Sequence, residues 1–182
     1  MPYMFKIINS GDGGVGKTSF LKRFTSGLFI EQSKSTIGTG FFTQSIKLDN
    51  SDHADLTIWD FGGQGRFRDI LRDFIIGAHG ALLLFDITRY QSFSNLKEWI
   101  TLLRSTEEDY ELPILLLGTK CDLAEVREVF PEDIENFVAD ENLIGYYETS
   151  AKTGLNVEES LKHLVQHIFN HNRGIPLWKS IP

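Results

Sequence analysis

The chain has 182 residues, 41% hydrophobic and 24% charged, which is ordinary globular sequence for one domain, long enough to bury a core without metal or disulfide staples. Its formal net charge of −7 opposes nonspecific nucleic-acid binding and attraction to an acidic membrane surface. The lone Cys121 excludes an intramolecular disulfide and reads as a reducing, cytoplasmic location, and no apolar run approaches the length needed to cross a membrane.

In chain order, Tyr3 to Ile8 is a predicted strand and Ser19 to Phe24 a predicted helix. Between them, Gly11-Asp12-Gly13-Gly14-Val15-Gly16-Lys17-Thr18 fits G-x-x-x-x-G-K-[ST] in the strand-loop-helix setting of a phosphate-binding loop. Glycines let the backbone take positive φ and bring its N–H groups against phosphate oxygens. Lys17 would add charge near the β/γ-phosphates, Thr18 would ligate Mg²⁺, and the helix would aim its positive end at the anion. A glycine-rich turn without a ligand is the plainer alternative.

Ser26 to Thr39 reads as a long polar loop, of the length that tends to be functional. Phe41 to Leu48 and Ala54 to Asp60 form a predicted hairpin around Asp49-Asn50-Ser51-Asp52. Phe61-Gly62-Gly63-Gln64-Gly65 breaks regular structure before a short helix from Arg66 to Ile76. Ala81 to Asp86 and Ile114 to Gly118 are continuous apolar runs, as expected of strands buried on both faces of a parallel sheet. Leu96, Trp99, Ile100, Leu102 and Leu103 recur at helical spacing between them. Pro131 starts another helix, Ile144 to Tyr147 is a last strand, and Leu161, Leu164, Val165 and Ile168 stripe a closing helix. This alternation predicts a doubly wound α/β sheet with ligands beyond the carboxyl ends of its strands, where most candidate residues fall.

A Mg-nucleotide site needs a second acid near the metal. Asp60 at its strand end can serve, through a water, although a strand-end Asp can equally cap the following turn. Beside it, Gly63 could offer an N–H to a γ-phosphate and Gln64 could orient the attacking water.

With these motifs the chain resembles the Ras superfamily of small GTPases, most closely its Rab branch. The resemblance rests on the phosphate loop with Ser19, on Thr36-Ile37-Gly38, Trp59-Asp60, Gly63-Gln64, Arg66-Phe67-Arg68 and Gly77-Ala78-His79-Gly80. It continues through Phe85-Asp86-Ile87-Thr88, Thr119-Lys120-Cys121-Asp122 and Glu148-Thr149-Ser150-Ala151-Lys152. It implies a P-loop NTPase fold: six strands, mostly parallel with one antiparallel edge strand, flanked by about five helices. It also implies a GTPase domain over residues 1–172, a tail over 173–182, and a monomer.

The resemblance assigns Thr36 to Mg²⁺ and γ-phosphate sensing, and Phe29 to the face of the guanine ring. It assigns Lys120 and Asp122 to reading the base, and Ser150-Ala151-Lys152 to the loop that contacts guanine O6. Gln64 is then catalytic; GTP and GDP are substrate and product, Mg²⁺ is the cofactor, and slow hydrolysis runs a molecular switch in trafficking or signalling. Effectors, exchange factors and GTPase-activating proteins would bind switches I and II, and Phe41, Trp59 and Phe74 match an aromatic trio used for effectors, or are simply core. Cys121, without His or Cys neighbours, is a bystander.

Three departures stand out. Thr119 stands where Asn is commoner, which Rho-type members tolerate, so guanine specificity is expected to persist. Asp60-Phe61-Gly62-Gly63-Gln64 resembles the switch II of Arf proteins and G-protein α-subunits, joined to a Rab-like Arg66-Phe67-Arg68. Pro2 and a cysteine-free carboxyl end give no direct lipid anchor, so membrane association is expected through partners or through a native tail not in this sequence. A nucleotide-binding interaction module with negligible hydrolysis is the alternative, and an ATPase or small-molecule kinase on the same loop is disfavoured by Asp122 and Ser150-Ala151-Lys152.

Overall fold

The computed structural model describes residues 3–31, 38–48, 52–62, 68–105 and 111–171. The expected turn at 49–51 and the tail at 173–182 lie outside them.

The apolar runs form one six-stranded sheet, ordered β2-β3-β1-β4-β5-β6. Its strands are β1 (Tyr3–Gly11), β2 (Thr39–Lys47), β3 (His53–Phe61), β4 (Gly80–Asp86), β5 (Ile114–Thr119) and β6 (Gly145–Thr149). Every neighbouring pair is parallel except β2 with β3, whose antiparallel register runs from Thr39 opposite Phe61 to Lys47 opposite His53. This is the expected mostly parallel P-loop NTPase-like sheet with one antiparallel edge.

Sequence pattern and burial agree strand by strand. The seven residues of β4 are all buried, because helices cover both faces and leave no side for polar groups. Ala81, Leu83 and Phe85 face a layer built from α2 (Arg68–Ile75) and α4 (Leu96–Leu103), where Leu71, Ile75, Leu96, Trp99 and Ile100 meet them. Leu82 and Leu84 face the opposite layer, where α1 (Lys17–Ser26) supplies Phe20 and Leu21 and α6 (Val157–His171) supplies Leu161, Leu164, Val165 and Ile168. Each such apolar side chain, fully buried, stabilises the fold by about 1.5–3 kcal/mol. Edge strand β2 alternates exposed and half-buried residues instead.

Two helical pieces were not signalled by periodicity. A short α3 (Tyr90–Ser94) abuts α4 at Asn95, and a 3₁₀ helix covers Cys121–Val126 where the sequence suggested a polar turn. With α5 (Pro131–Asp140), six α-helices are present among the described residues, two of them joined end to end at Asn95. Proline opens α5 as expected, and Phe130 before it is extended, at φ −95° and ψ 152°.

Parallel pairing carries the carboxyl ends of β1, β4, β5 and β6 to one edge of the sheet, with β3 beside them. At Gly11, the last residue of β1, a Cβ would lie 2.2 Å from the carbonyl oxygen of Leu84, and φ is +131°. Glycine there lets β1 and β4 close together just where the chain leaves the sheet.

Candidate functional site

At that edge lies a cleft of about 630 Å³. Its walls bring together Gly13, Gly14, Gly16, Lys17, Thr18 and Ser19 of the first loop and helix, Phe29, Phe61 and Gly62, the β5 loop with Thr119, Lys120 and Asp122, and the β6 loop with Ala151 and Lys152. Segments distant in sequence thus share one cavity.

The first loop curls because Gly14 and Gly16 hold positive φ, +76° and +97°. Gly16 serves as the N-cap of α1, leaving the first-turn N–H groups of that helix without intrahelical partners and facing the loop's concavity. Lys17 is almost fully buried, and its Nζ donates to the carbonyls of Gly11 and Asp12, each at 2.7 Å. Burial pushes its ammonium down to about 8; Asp60 and Asp12 pull it back up and Arg89 adds a further downward push. Burial pushes the Asp60 carboxyl up, opposed by hydrogen bonding from Thr18, the charge of Lys17 and hydrogen bonding from Asn9. Thr18 Oγ1 donates to Asp60 Oδ2 at 2.5 Å, and Asn9 Nδ2 to Asp60 Oδ1 at 3.0 Å.

These opposed shifts test what the site suits. A buried ammonium whose charged form burial disfavours, amid helix N–H groups that lack intrahelical partners, suits a polyphosphate. A buried carboxylate touching a threonine hydroxyl is an all-oxygen donor pair, which suits a hard cation such as Mg²⁺. Both implied groups fit the residues present.

On the opposite wall, Thr119 is buried and its hydroxyl lies 2.6 Å from the Val15 carbonyl and 2.9 Å from that of Phe85, tying the first loop to β4. Lys120 sits in the left-handed region at φ 61°, and its Nζ pairs with Asp86 Oδ2 at 2.5 Å. Asp86 is itself fixed by the Thr88 N–H and hydroxyl. Ser150 Oγ donates to Asp122 Oδ1 at 2.6 Å, fixing the carboxylate at the wall of the cleft. Behind β6, Arg127 donates to Glu148 Oε2 at 2.7 Å and anchors the strand that delivers Ser150.

A profile of the Ras family matches residues 6–170. The chain belongs to the Ras family. Among small GTPases it falls in the Rab/Ypt-like branch. It is 43% identical over 167 residues to GTP-binding protein ypt3 of Schizosaccharomyces pombe, covering 92% of this chain and 77% of the relative. Ras-related protein RABA1h of Arabidopsis thaliana is 40% identical and Ras-related protein Rab11B of Nicotiana tabacum 41%, again over 92% of this chain and over 75% and 76% of those relatives.

Of the residues expected to act in this Ras-family chain, Thr36, Gly63 and Gln64 lie outside the described residues, as do Arg66 and Phe67. Phe29 lines the cleft and is half-buried. Phe41 is 68% exposed, which rules out simple core packing for that ring; it stands 6.1 Å from Trp59, which stands 4.9 Å from Phe74. No helix among the described residues is long and apolar enough to cross a membrane.

Sequence reasoning missed several supports of the loop. Trp99 Nε1 and Asn95 Nδ2 donate to the two carboxylate oxygens of Asp12, at 2.8 and 2.7 Å. Arg89 donates to the Gly13 carbonyl at 2.8 Å. Asn9 offered a signal, being a polar residue at the end of an apolar strand; Arg89 offered none.

Proposed function

We propose that the chain is a GTP/GDP switch that binds Mg-GTP in this cleft and hydrolyses it slowly to GDP and phosphate, serving membrane trafficking or signalling. The observation that carries this reading is the convergence of two chemistries in one cavity: the cationic, N–H-lined loop from Gly13 to Ser19, and the Asp122 carboxylate oriented by Ser150.

In this reading, Lys17 and the N–H groups of the loop hold the β- and γ-phosphates. Thr18 and Thr36, with Asp60 through a water, would hold Mg²⁺, which would supply neutralising charge at the phosphates. Asp122 accepts from guanine's N1–H and exocyclic amine, a donor pair adenine lacks. Ala151, between Ser150 and Lys152, offers its N–H to guanine O6, and Phe29 and Lys120 cover the faces of the base. Thr119 keeps the base-reading segment fastened to the phosphate loop through Val15, the link its hydroxyl already makes. Gly63 senses the γ-phosphate and Gln64 orients the attacking water. Phe41, Trp59 and Phe74, with the two switch segments, form the face read by effectors, exchange factors and GTPase-activating proteins.

No arginine lies between Arg23 and Arg66, so switch I carries no arginine finger of its own, and fast hydrolysis awaits a partner that supplies one. Nucleotide competition and single-turnover hydrolysis test the proposal together. GTP and GDP are expected to displace ATP, turnover without a partner to stay far below about 1 per second, and Gln64→Leu to slow it further. Tighter binding of ATP than GTP refutes the guanine reading. Equal turnover in wild type and Gln64→Leu replaces the switch by a nucleotide-dependent interaction module.

A further inference from the structure

The phosphate loop is held from outside as well as from within. Arg89 lies between β4 and α3, with its backbone fixed: its N–H donates to the Asp86 carbonyl at 3.0 Å, and its own carbonyl accepts from the Ser92 N–H and hydroxyl at 3.0 and 2.8 Å. From that base the half-buried side chain reaches across to Gly13, 76 residues away, and its Nη2 donates to the Gly13 carbonyl at 2.8 Å. Its other terminal nitrogen passes 3.6 Å from where a Cβ on Gly14 would stand. The neighbouring Asp12 carboxylate accepts from Asn95 and Trp99, one on each oxygen.

The peptide between Gly13 and Gly14 is trans. In a trans peptide the carbonyl and the following N–H point in opposite directions. An arginine that draws the Gly13 carbonyl to the outer side of the loop therefore turns the Gly14 N–H to the inner side, and both glycines line the cleft. A Gly-Gly unit rotates at little steric cost, so no side chain of its own enforces that orientation. Building on the nucleotide reading above, we propose that Arg89 is a positioning residue of the phosphate loop: it locks the Gly13–Gly14 peptide with its N–H toward the terminal phosphates and adds a fixed positive charge behind them.

Charge supports the same conclusion. With a formal net charge of −7, the chain must draw a polyphosphate by local cations rather than by its overall field. Arg89 lies near enough to Lys17 to disfavour its protonation. The Arg89 Nε is buried without a hydrogen-bond partner. Keeping a buried guanidinium nitrogen unbonded is costly, and tight retention of an anion on the far side of the loop gives that cost a function.

The test uses the full chain with Mg²⁺ and fluorescent GDP and GTP, comparing wild type, Arg89→Met and Arg89→Lys. GMP, which lacks the phosphates nearest Gly13 and Gly14, serves as the third ligand. Loss of one charge-assisted hydrogen bond predicts about ten-fold faster GDP and GTP release from Arg89→Met. GMP affinity should be unchanged, and Arg89→Lys, which keeps the charge without the fork, should release at an intermediate rate. Release from Arg89→Met within two-fold of wild type overturns the proposal, as does equal weakening of GMP and GDP, which would mean general loosening of the domain. If Arg89→Met does not fold, Arg89→Lys decides by the same GDP-to-GMP comparison. A wild type that fails to bind GDP at all overturns the functional reading together with this one.

Discussion

Replacing Gly11 by alanine tests whether the close approach of β1 and β4 sets the stability of the cleft floor. The added Cβ would stand 2.2 Å from the Leu84 carbonyl oxygen and 3.1 Å from its carbon, both backbone atoms that no rotamer change can move aside. To reach ordinary van der Waals contact, the paired residues Gly11 and Leu84 must part by roughly 1 Å at the end of their parallel ladder. Overpacking of this kind costs about 1–3 kcal/mol, and holding a non-glycine residue at φ +131° costs a further 1–3. A total of about 2–6 kcal/mol lowers the melting temperature of a domain this size by roughly 4–24 °C. Gly40→Ala on edge strand β2 is the matched control, because a Cβ there meets nothing within 4 Å and its φ is not positive. It should change stability by less than about 0.5 kcal/mol. Urea and thermal unfolding of both variants at fixed nucleotide concentration measure the difference. If Gly11→Ala costs no more than Gly40→Ala, the floor of the cleft yields more easily than a packed sheet should, and the reasoning fails.

Two further outcomes follow from the same geometry. Thr119→Val keeps the shape but strips the hydroxyl from the Val15 and Phe85 carbonyls, so it should cost about 1–2 kcal/mol in urea unfolding and speed GDP release measurably. On α6, burial and then the neighbouring His171 and His163 depress the His167 imidazole below its ordinary 6.5. The unfolded chain therefore takes up that proton first, and stability falls as pH drops through 6.5 toward the folded value. His167→Gln should flatten the dependence of stability on pH below about 6.5, and an unchanged pH slope would show that His167 is not responsible.

The elements that could be read directly were those whose signal is local. Continuous apolar runs announced β4 and β5 because both faces are covered, and Pro131 announced α5 because its ring suits a first helical turn. The chemistry-bearing loops were legible for a related reason: each motif is contiguous, and the topology of parallel strands delivers them to one edge. What escaped notice depends on distance. The five residues of α3 have no periodic stripe, and Ser92, hydrogen-bonded to the Asp86 N–H at 3.0 Å, holds them through tertiary contact. The 3₁₀ turn at Cys121–Val126 buries none of its residues, so no hydrophobic pattern could mark it. Asp12 occupies a position the loop motif leaves free, and its partner Trp99 lies 87 residues away on a helix whose apolar stripe already explained it. Trp99 looked like core and is core, with one polar atom spent on the site.

The sheet order has a consequence for the protein's birth. Strand β1 is the first to be synthesised, yet its only partners are β3 and β4, and the cleft is not walled until the loop after β6 has emerged. Among the described residues β2–β3 is the one antiparallel pair of consecutive strands; β4–β5 and β5–β6 also join consecutive strands, but in parallel, so each must first make a longer crossover. At about 5–20 residues per second, 182 residues take roughly 10–40 s to emerge. For much of that time β1, and then β4 and β5, wait for α6, the last helix of the layer on one face of the sheet. A nascent chain of this design lacks the complete nucleotide cleft until the loop after β6 has emerged, and its apolar strands stay open to aggregation until α6 closes over the sheet.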